Sequence, residues 1–308
     1  MKKTAKKIIK ALSADGIEIH AQRQIVDLKR LDPMRAFYKK LDFKIRNQEY
    51  DVPVRIFFPE EDVFLTTEPG EQKMLLFFHG GGWSTESVDN YERICSRMAT
   101  ATNHIVVSVE YRLAPEDPFP TGLEDCYAAA KTIFENKFLI NVKPENITLI
   151  GDSAGGNLAA ALSLMARDRG DFKPLRQILI YPALNNDYSE NSPYASVHEN
   201  GADYLLTSGK LRDFIDLYAS CEEDKQNPYF APILAEDLSD QPRTLILTAE
   251  LDPLRDEGEA FGRMLREAGN FVRIHRVKDT LHGFFGLGIK SSYVIESLEY
   301  IKQFVEEA

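Results

Sequence analysis

Residues 147–166 read ITLIGDSAGGNLAAALSLMA. A short apolar run opens the stretch, and a run of helix formers closes it. Between them, Gly151, Asp152, Ser153, Ala154 and Gly155 follow the pattern G-x-S-x-G. Five residues alone are a weak signal; a strand before and a helix after give them a mechanical meaning. The chain must reverse sharply for Ser153 to stand out of the turn. Side chains at 151 and 155 would meet the strand and the helix, so both positions are glycine. The helix start also aims unpaired N–H groups and a partial positive charge at the serine. A glycine-rich anion loop is the bland alternative. A phosphate loop would need G-x-x-x-x-G-K-[ST], and no lysine follows. The stretch predicts an elbow that presents Ser153 as a nucleophile.

Outward from the elbow, strand and helix patterns alternate. Apolar strands are expected at Met74–Phe78, Ile105–Val109, Ile147–Ile150, Gln177–Tyr181, Thr244–Thr248 and Phe271–Val277, and Phe43 to Pro59 reads as two more. Helices are expected near 88–102, 122–138, 155–168, 255–268 and 292–306. Most of these strands are continuously apolar, as strands covered on both faces are. The fold class is therefore α/β, a mostly parallel central sheet of about eight strands flanked by helices. Some 60 residues separate Pro182 from Thr244, too long for a structureless loop in a compact domain. Leu211, Phe214, Ile215 and Tyr218 share one helical face there. Residues 5–40 also read as helical, from Ile8, Ile9, Leu12, Ile25, Leu28 and Leu31. Residues 1–47 and 185–225 are expected to form a helical cap, and 48–184 with 226–308 the catalytic domain.

The net charge of −11 argues against nucleic acid, whose phosphates need a basic surface. Residues 1–47 hold thirteen Lys/Arg against five Asp/Glu, a basic segment on an acidic body. Lys10 interrupts the first apolar run, which is too short for a secretory signal. No stretch approaches the length of a transmembrane helix, so no stable membrane insertion is expected. Cys95, Cys126 and Cys221 have no metal-like spacing and suit a reduced, cytoplasmic protein as buried apolar fillers.

A neutral serine needs a base held by a third group. In sheets of this kind the order is serine, then acid, then histidine. His20, His104, His198 and His275 lie in the N-terminal segment, at a strand start, in the presumed cap and inside a strand. His79 precedes the serine in the chain. His282, in KDTLHGFFG (278–286) just past the last strand, is the candidate base. Asp252 follows an apolar strand and is held in a turn by Pro253. Glu250 lies nearer that strand and Asp256 on the next helix, so Asp252 is chosen. It would accept the imidazole N–H and stabilise the imidazolium.

Three separated motifs now agree. With HGGGW (79–83), VEYRLAPEDPFPTGLEDC (109–126), GDSAGGN (151–157), AELDPLRDEGE (249–259) and LHGFF (281–285), the sequence resembles the hormone-sensitive-lipase-like branch of the α/β-hydrolase family. That resemblance implies an α/β-hydrolase fold with a helical cap and a bacterial-type carboxylesterase without metal or cofactor. By motif position it implies Ser153, Asp252 and His282 as the triad. The backbone N–H groups of Gly81, Gly82 and Ala154 would form the oxyanion hole. The sequence leaves open whether Gly80 or Gly82 pairs with Gly81. Bare glycine lets those N–H groups approach a developing oxyanion with no side chain in the way.

Trp83 and Phe284 are expected as pocket walls, joined by cap aromatics such as Tyr188, Tyr194, Tyr204 and Phe214. The substrate partner would be a small ester with an acetyl to hexanoyl chain. A deacetylase or amidase on the same triad, and a ligand receptor on the same fold, are the alternatives. His282 in its motif weighs against the receptor. The last strand and final helix could pair with a second copy as a homodimer.

Overall fold

A computed structural model describes residue 23 and residues 39–46, 50–59, 71–287 and 291–307. Eight strands form one sheet in the order β1-β2-β4-β3-β5-β6-β7-β8. They are β1 (Lys40–Ile45), β2 (Val52–Phe57), β3 (Met74–Phe78), β4 (Ile105–Val109), β5 (Ile147–Asp152), β6 (Arg176–Ile180), β7 (Arg243–Leu251) and β8 (Val272–Leu281). β1 and β2 run antiparallel to their neighbours, and every other pairing is parallel. The mostly parallel eight-strand sheet expected from the sequence is the one observed.

Both faces are covered, which explains why the strands read as unbroken apolar runs. Along β3, Met74, Leu76 and Phe78 enter one core, while Leu75 and Phe77 enter the other. Helices α1 (Val88–Thr102) and α7 (Ser292–Glu306) cover the second core through Ile94, Met98, Leu298 and Ile301. Helices α2 (Thr121–Phe134), α3 (Ala154–Arg169) and α6 (Arg255–Glu267) cover the first through Leu123, Leu158 and Phe261. The segment between β6 and β7 carries α4 (Ala195–Asn200) and α5 (Ser208–Tyr218). The helical face expected there is real: Leu211, Ile215 and Tyr218 are buried, and Thr207 caps the helix by accepting the Lys210 N–H.

Two expectations need correction. Residues 40–45, counted with the cap, pair with β2 from Lys40↔Phe57 to Ile45↔Val52 and belong to the sheet. Cys221, expected to be a buried filler, is exposed, whereas Cys95 and Cys126 are buried. The rest of the N-terminal helix expected from the sequence falls on residues 1–22 and 24–38, outside the described residues. Arg23 is described, and it donates to Ser84 O at 3.0 Å, to Ala114 O at 3.1 Å and to Glu116 at 2.8 Å. Among the described residues no helix is long and apolar enough to cross a membrane.

Candidate active site

Ser153 stands between β5 and α3 with φ 56° and ψ −120°. That backbone is sparsely populated for a residue with a side chain and costs about 1–3 kcal/mol. Its surroundings hold it there. Its N–H donates to Ile180 O at 2.8 Å, and its carbonyl accepts from Asn157 N at 3.1 Å and Ala183 N at 3.2 Å. The flanking glycines are required by space. A Cβ on Gly151 would stand 2.1 Å from Gly155 O, and one on Gly155 would stand 2.0 Å from Phe78 O.

β7 and β8 deliver the other two groups at their carboxyl ends. A register shift between Ala249 and Leu251 interrupts the β7–β8 ladder just before Asp252, where a bulge re-aims the strand end. His282 Nδ1 lies 2.8 Å from Asp252 Oδ2, and its Nε2 lies 2.8 Å from Ser153 Oγ. A carboxylate only accepts, so Nδ1 carries the proton and Nε2 offers its lone pair to the serine hydroxyl. Asp252 is fully buried, and its Oδ1 accepts the Leu254 N–H at 2.9 Å. The competing acids are turned elsewhere: Glu250 accepts the Asp279 N–H at 2.8 Å, and Asp256 accepts the Ser196 N–H at 2.8 Å.

The other described histidines are accounted for. His79 is buried, stacks on Tyr111 with ring centroids 4.4 Å apart and sets its Nδ1 2.8 Å from Gly80 O. Burial pushes His104 down to about 4, despite its contact with Thr102 O at 2.7 Å. His198 meets Ser192 O, and His275 meets Glu296. His20 lies outside the described residues.

The glycine run divides its backbone donors. The Gly80 N–H donates to Asp152 Oδ1 at 2.9 Å and to Tyr91 Oη at 3.2 Å. Gly81 (φ 113°) and Gly82 (φ 59°) take left-handed conformations, and their N–H groups have no hydrogen-bond partner among the described residues. The Gly81 carbonyl fastens the turn by accepting Thr85 N at 2.9 Å and Thr85 Oγ1 at 2.7 Å. Ala154 is the first residue of α3, where a backbone N–H has no acceptor within the helix.

An aromatic cluster stands beside this loop. Trp83 stacks on Tyr218 at 4.5 Å with planes 2° apart, and Tyr218 meets Phe230 at 5.0 Å. Asn157 donates to Phe230 O at 2.8 Å and so ties the cluster to α3. Phe214 of α5 lies directly on Gly82: a Cβ there would stand 2.3 Å from the ring. Phe284, expected in a pocket wall, is instead fully buried in the core under α1 and α7, edge-on to Tyr181 at 5.2 Å. Tyr188 is also buried, and its hydroxyl donates to Glu257 at 2.9 Å. Sequence reasoning did not single out Asp152, Tyr91, Tyr181 or Asn157. Asp152 carried no signal beyond being a variable position of G-x-S-x-G.

Comparison with known proteins places the chain among esterases of one fold. A family model described as alpha/beta hydrolase fold matches residues 75–286. The chain is 36% identical over 246 residues to an arylesterase of Saccharolobus solfataricus, covering 80% of this chain and 76% of that protein. It is 34% identical to an ethyl acetate hydrolase of Pseudomonas putida, covering 78% and 73%. The solved structure of a hyperthermophilic esterase from Pyrobaculum calidifontis superposes with a TM-score of 0.87 at 33% identity, covering 99% of this chain and 98% of that one.

Proposed function

The chain belongs to the alpha/beta hydrolase family, in its hormone-sensitive-lipase-like branch, and is a carboxylic ester hydrolase; on that premise we propose Ser153, His282 and Asp252 as its catalytic triad. The observation that carries this is the unbroken relay of 2.8 Å contacts from Asp252 Oδ2 through His282 to Ser153 Oγ. Ser153 Oγ attacks the ester carbonyl while its proton passes to His282 Nε2. The negative oxygen of the tetrahedral intermediate is received by the N–H groups of Gly81, Gly82 and Ala154. Commitment of the Gly80 N–H to Asp152 supports Gly82 as the partner of Gly81. His282 then gives its proton to the departing alcohol as the C–O bond breaks. Water, deprotonated by the same nitrogen, attacks the acyl-enzyme and releases the acid and Ser153.

Residues 185–225 serve as a cap in this reading, and the contact of Phe214 with Gly82 supports it. Trp83 forms a wall of the pocket. The acyl chain is short, acetyl to hexanoyl, because aromatic rings crowd the oxyanion loop. A reducing cytoplasm fits the three free cysteines, and β8, the edge strand of the sheet among the described residues, is where a second copy would pair. Ser153→Ala tests the core of the proposal. Hydrolysis of 4-nitrophenyl butyrate should fall by at least ~10⁴-fold, and turnover kept at the parental rate would sink it. A panel of acyl esters, amides and acetylated sugars fixes the substrate class.

A further inference from the structure

Asp152 sits next to the nucleophile, yet its side chain turns away from the substrate side and is 3% exposed. Its carboxylate is the meeting point of three separate parts of the chain. Oδ1 accepts the Gly80 N–H at 2.9 Å. Oδ2 accepts the hydroxyl of Tyr91, from α1, at 2.9 Å and that of Tyr181, just after β6, at 3.2 Å. We propose that Asp152 is a positioning residue, which holds the oxyanion-hole segment and the rear face of the base from behind the nucleophile. The proposal rests on the triad and oxyanion assignment above.

Consider first the glycine loop. Gly80 is pressed onto the end of β5: a Cβ there would stand 2.9 Å from Asp152 O and 3.0 Å from both Asp152 Oδ2 and Tyr91 Oη. The Gly80 N–H is therefore fixed in direction one residue ahead of Gly81 and Gly82. Those two glycines have wide backbone freedom of their own, so something outside them must set where their N–H groups point. An oxyanion donor accelerates the reaction only when it is already aimed at the developing charge. Asp152 supplies that aim from the end of the strand that leads into Ser153, so nucleophile and oxyanion donors share one anchor.

The second oxygen acts on the base. Tyr181 has φ 35°, an uncommon backbone for a bulky residue. Its ring centroid lies 4.8 Å from that of His282. Its N–H donates to Leu247 O at 2.6 Å, and Phe284 packs edge-on behind it. With its hydroxyl held by Asp152, the ring is a fixed back wall for the imidazole. Three donors converge on one buried carboxylate, which as an anion can only accept. Burial pushes this carboxyl up to about 6, while the Tyr91 hydroxyl, the Gly80 N–H and nearby His282 pull it back down. Near neutral pH it is charged, as three donors require.

The test compares Asp152→Ala and Asp152→Asn in the full chain. It measures kcat and KM on 4-nitrophenyl butyrate, inhibition by an alkyl boronic acid, and melting temperature. The boronate forms a tetrahedral anion on the serine and so reports the oxyanion hole, whereas KM reports the ground state. Asp152→Ala should lower kcat by ~100-fold and weaken boronate inhibition by ~10-fold or more, with KM within about twofold, as loss of oxyanion donors does. Asparagine keeps an oxygen for the Gly80 N–H and should recover roughly half of that loss on a logarithmic scale. A folded Asp152→Ala enzyme with parental kcat and boronate inhibition would overturn the proposal. If the alanine variant does not fold, Asp152→Asn decides: kcat down by ~3-fold or more at constant KM supports it, and parental kcat and inhibition overturn it. Ser153→Ala, assayed alongside, separates the two levels, because turnover kept at the parental rate there would overturn the nucleophile assignment whatever Asp152 does.

Discussion

Ser153 and Gly82 show how single backbone angles carry this site. Both are left-handed, at φ 56° and 59°, yet only one position can bear a side chain. Ser153 is held in its unfavourable conformation by hydrogen bonds to β6 and to α3, and the turn brings Oγ to His282. Gly82 has no room for a side chain, because Phe214 lies on it. Gly82→Ala therefore combines backbone strain with a clash and turns an N–H proposed as an oxyanion donor. Its kcat on 4-nitrophenyl acetate should fall by ~100-fold or more with little change in KM. The combined change Gly82→Ala with Phe214→Ala removes the clash but not the strain, and should recover only part of the loss. Full recovery in the double variant would mean that Gly82 matters for space alone.

At the scale of elements, much was legible because local pattern and tertiary role coincide. The elbow, β3, β4 and α1 could be read closely, since buried parallel strands are apolar on both faces and helices repeat every 3.6 residues. His282 and Asp252 were legible from their place after strand ends. What stayed hidden depends on the direction of a side chain after a turn. Phe284 lies two residues after His282, yet the 3-10 turn Phe284–Leu287 rolls it into the core. Asp152 gains its partners from Tyr91 and Tyr181, 61 and 29 residues away, contacts that no spacing announces. β1 was blurred because four of its six residues are exposed, Leu41 and Phe43 among them, so its alternation marks no buried face. Helix α5 was expected, but its contact was not: it lays the Phe214 ring over Gly82 of the glycine loop. Phe214→Ala should open that side of the proposed acyl pocket. The ratio of kcat/KM for hexanoyl over acetyl 4-nitrophenyl esters should rise by ~3- to 10-fold, since each buried methylene is worth about 0.8 kcal/mol. An unchanged ratio would place the acyl chain elsewhere.

For the molecule as a whole, pH reads out two opposed sets of carboxyls. Asp168, Asp171, Asp224, Asp237 and Asp256 all lie below the usual 3.8, held down mainly by hydrogen bonds and cationic neighbours. Each contributes stability that is complete above its unfolded value and is lost only as pH falls through its folded one. Glu257 does the reverse. Burial pushes its carboxyl from 4.5 up to about 8, although Leu184 N–H, Asn185 N–H and the Tyr188 hydroxyl all donate to Oε1. Its other oxygen, Oε2, is buried with no hydrogen-bond partner among the described residues, a further cost of ionising it. Between those values the folded state holds a proton that the unfolded state has lost, so stability falls as pH rises. Asp152 acts in the same direction between 3.8 and about 6, and buried His104, held down to about 4, opposes it up to 6.5. Stability should therefore peak near pH 5, where the first set is fully ionised and Glu257 is still neutral when folded. Glu257→Gln keeps an oxygen for the three donors and has no proton to lose. The parent should lose melting temperature from pH 5 to 8, whereas the variant, in which Asp152 and His104 offset each other below about pH 6, should stay nearly level. At pH 9 the variant should melt higher by roughly 5 °C, and at pH 5 it should hold no advantage. Parallel curves for the two proteins across pH 5 to 9 would show that Glu257 is already ionised in the folded chain.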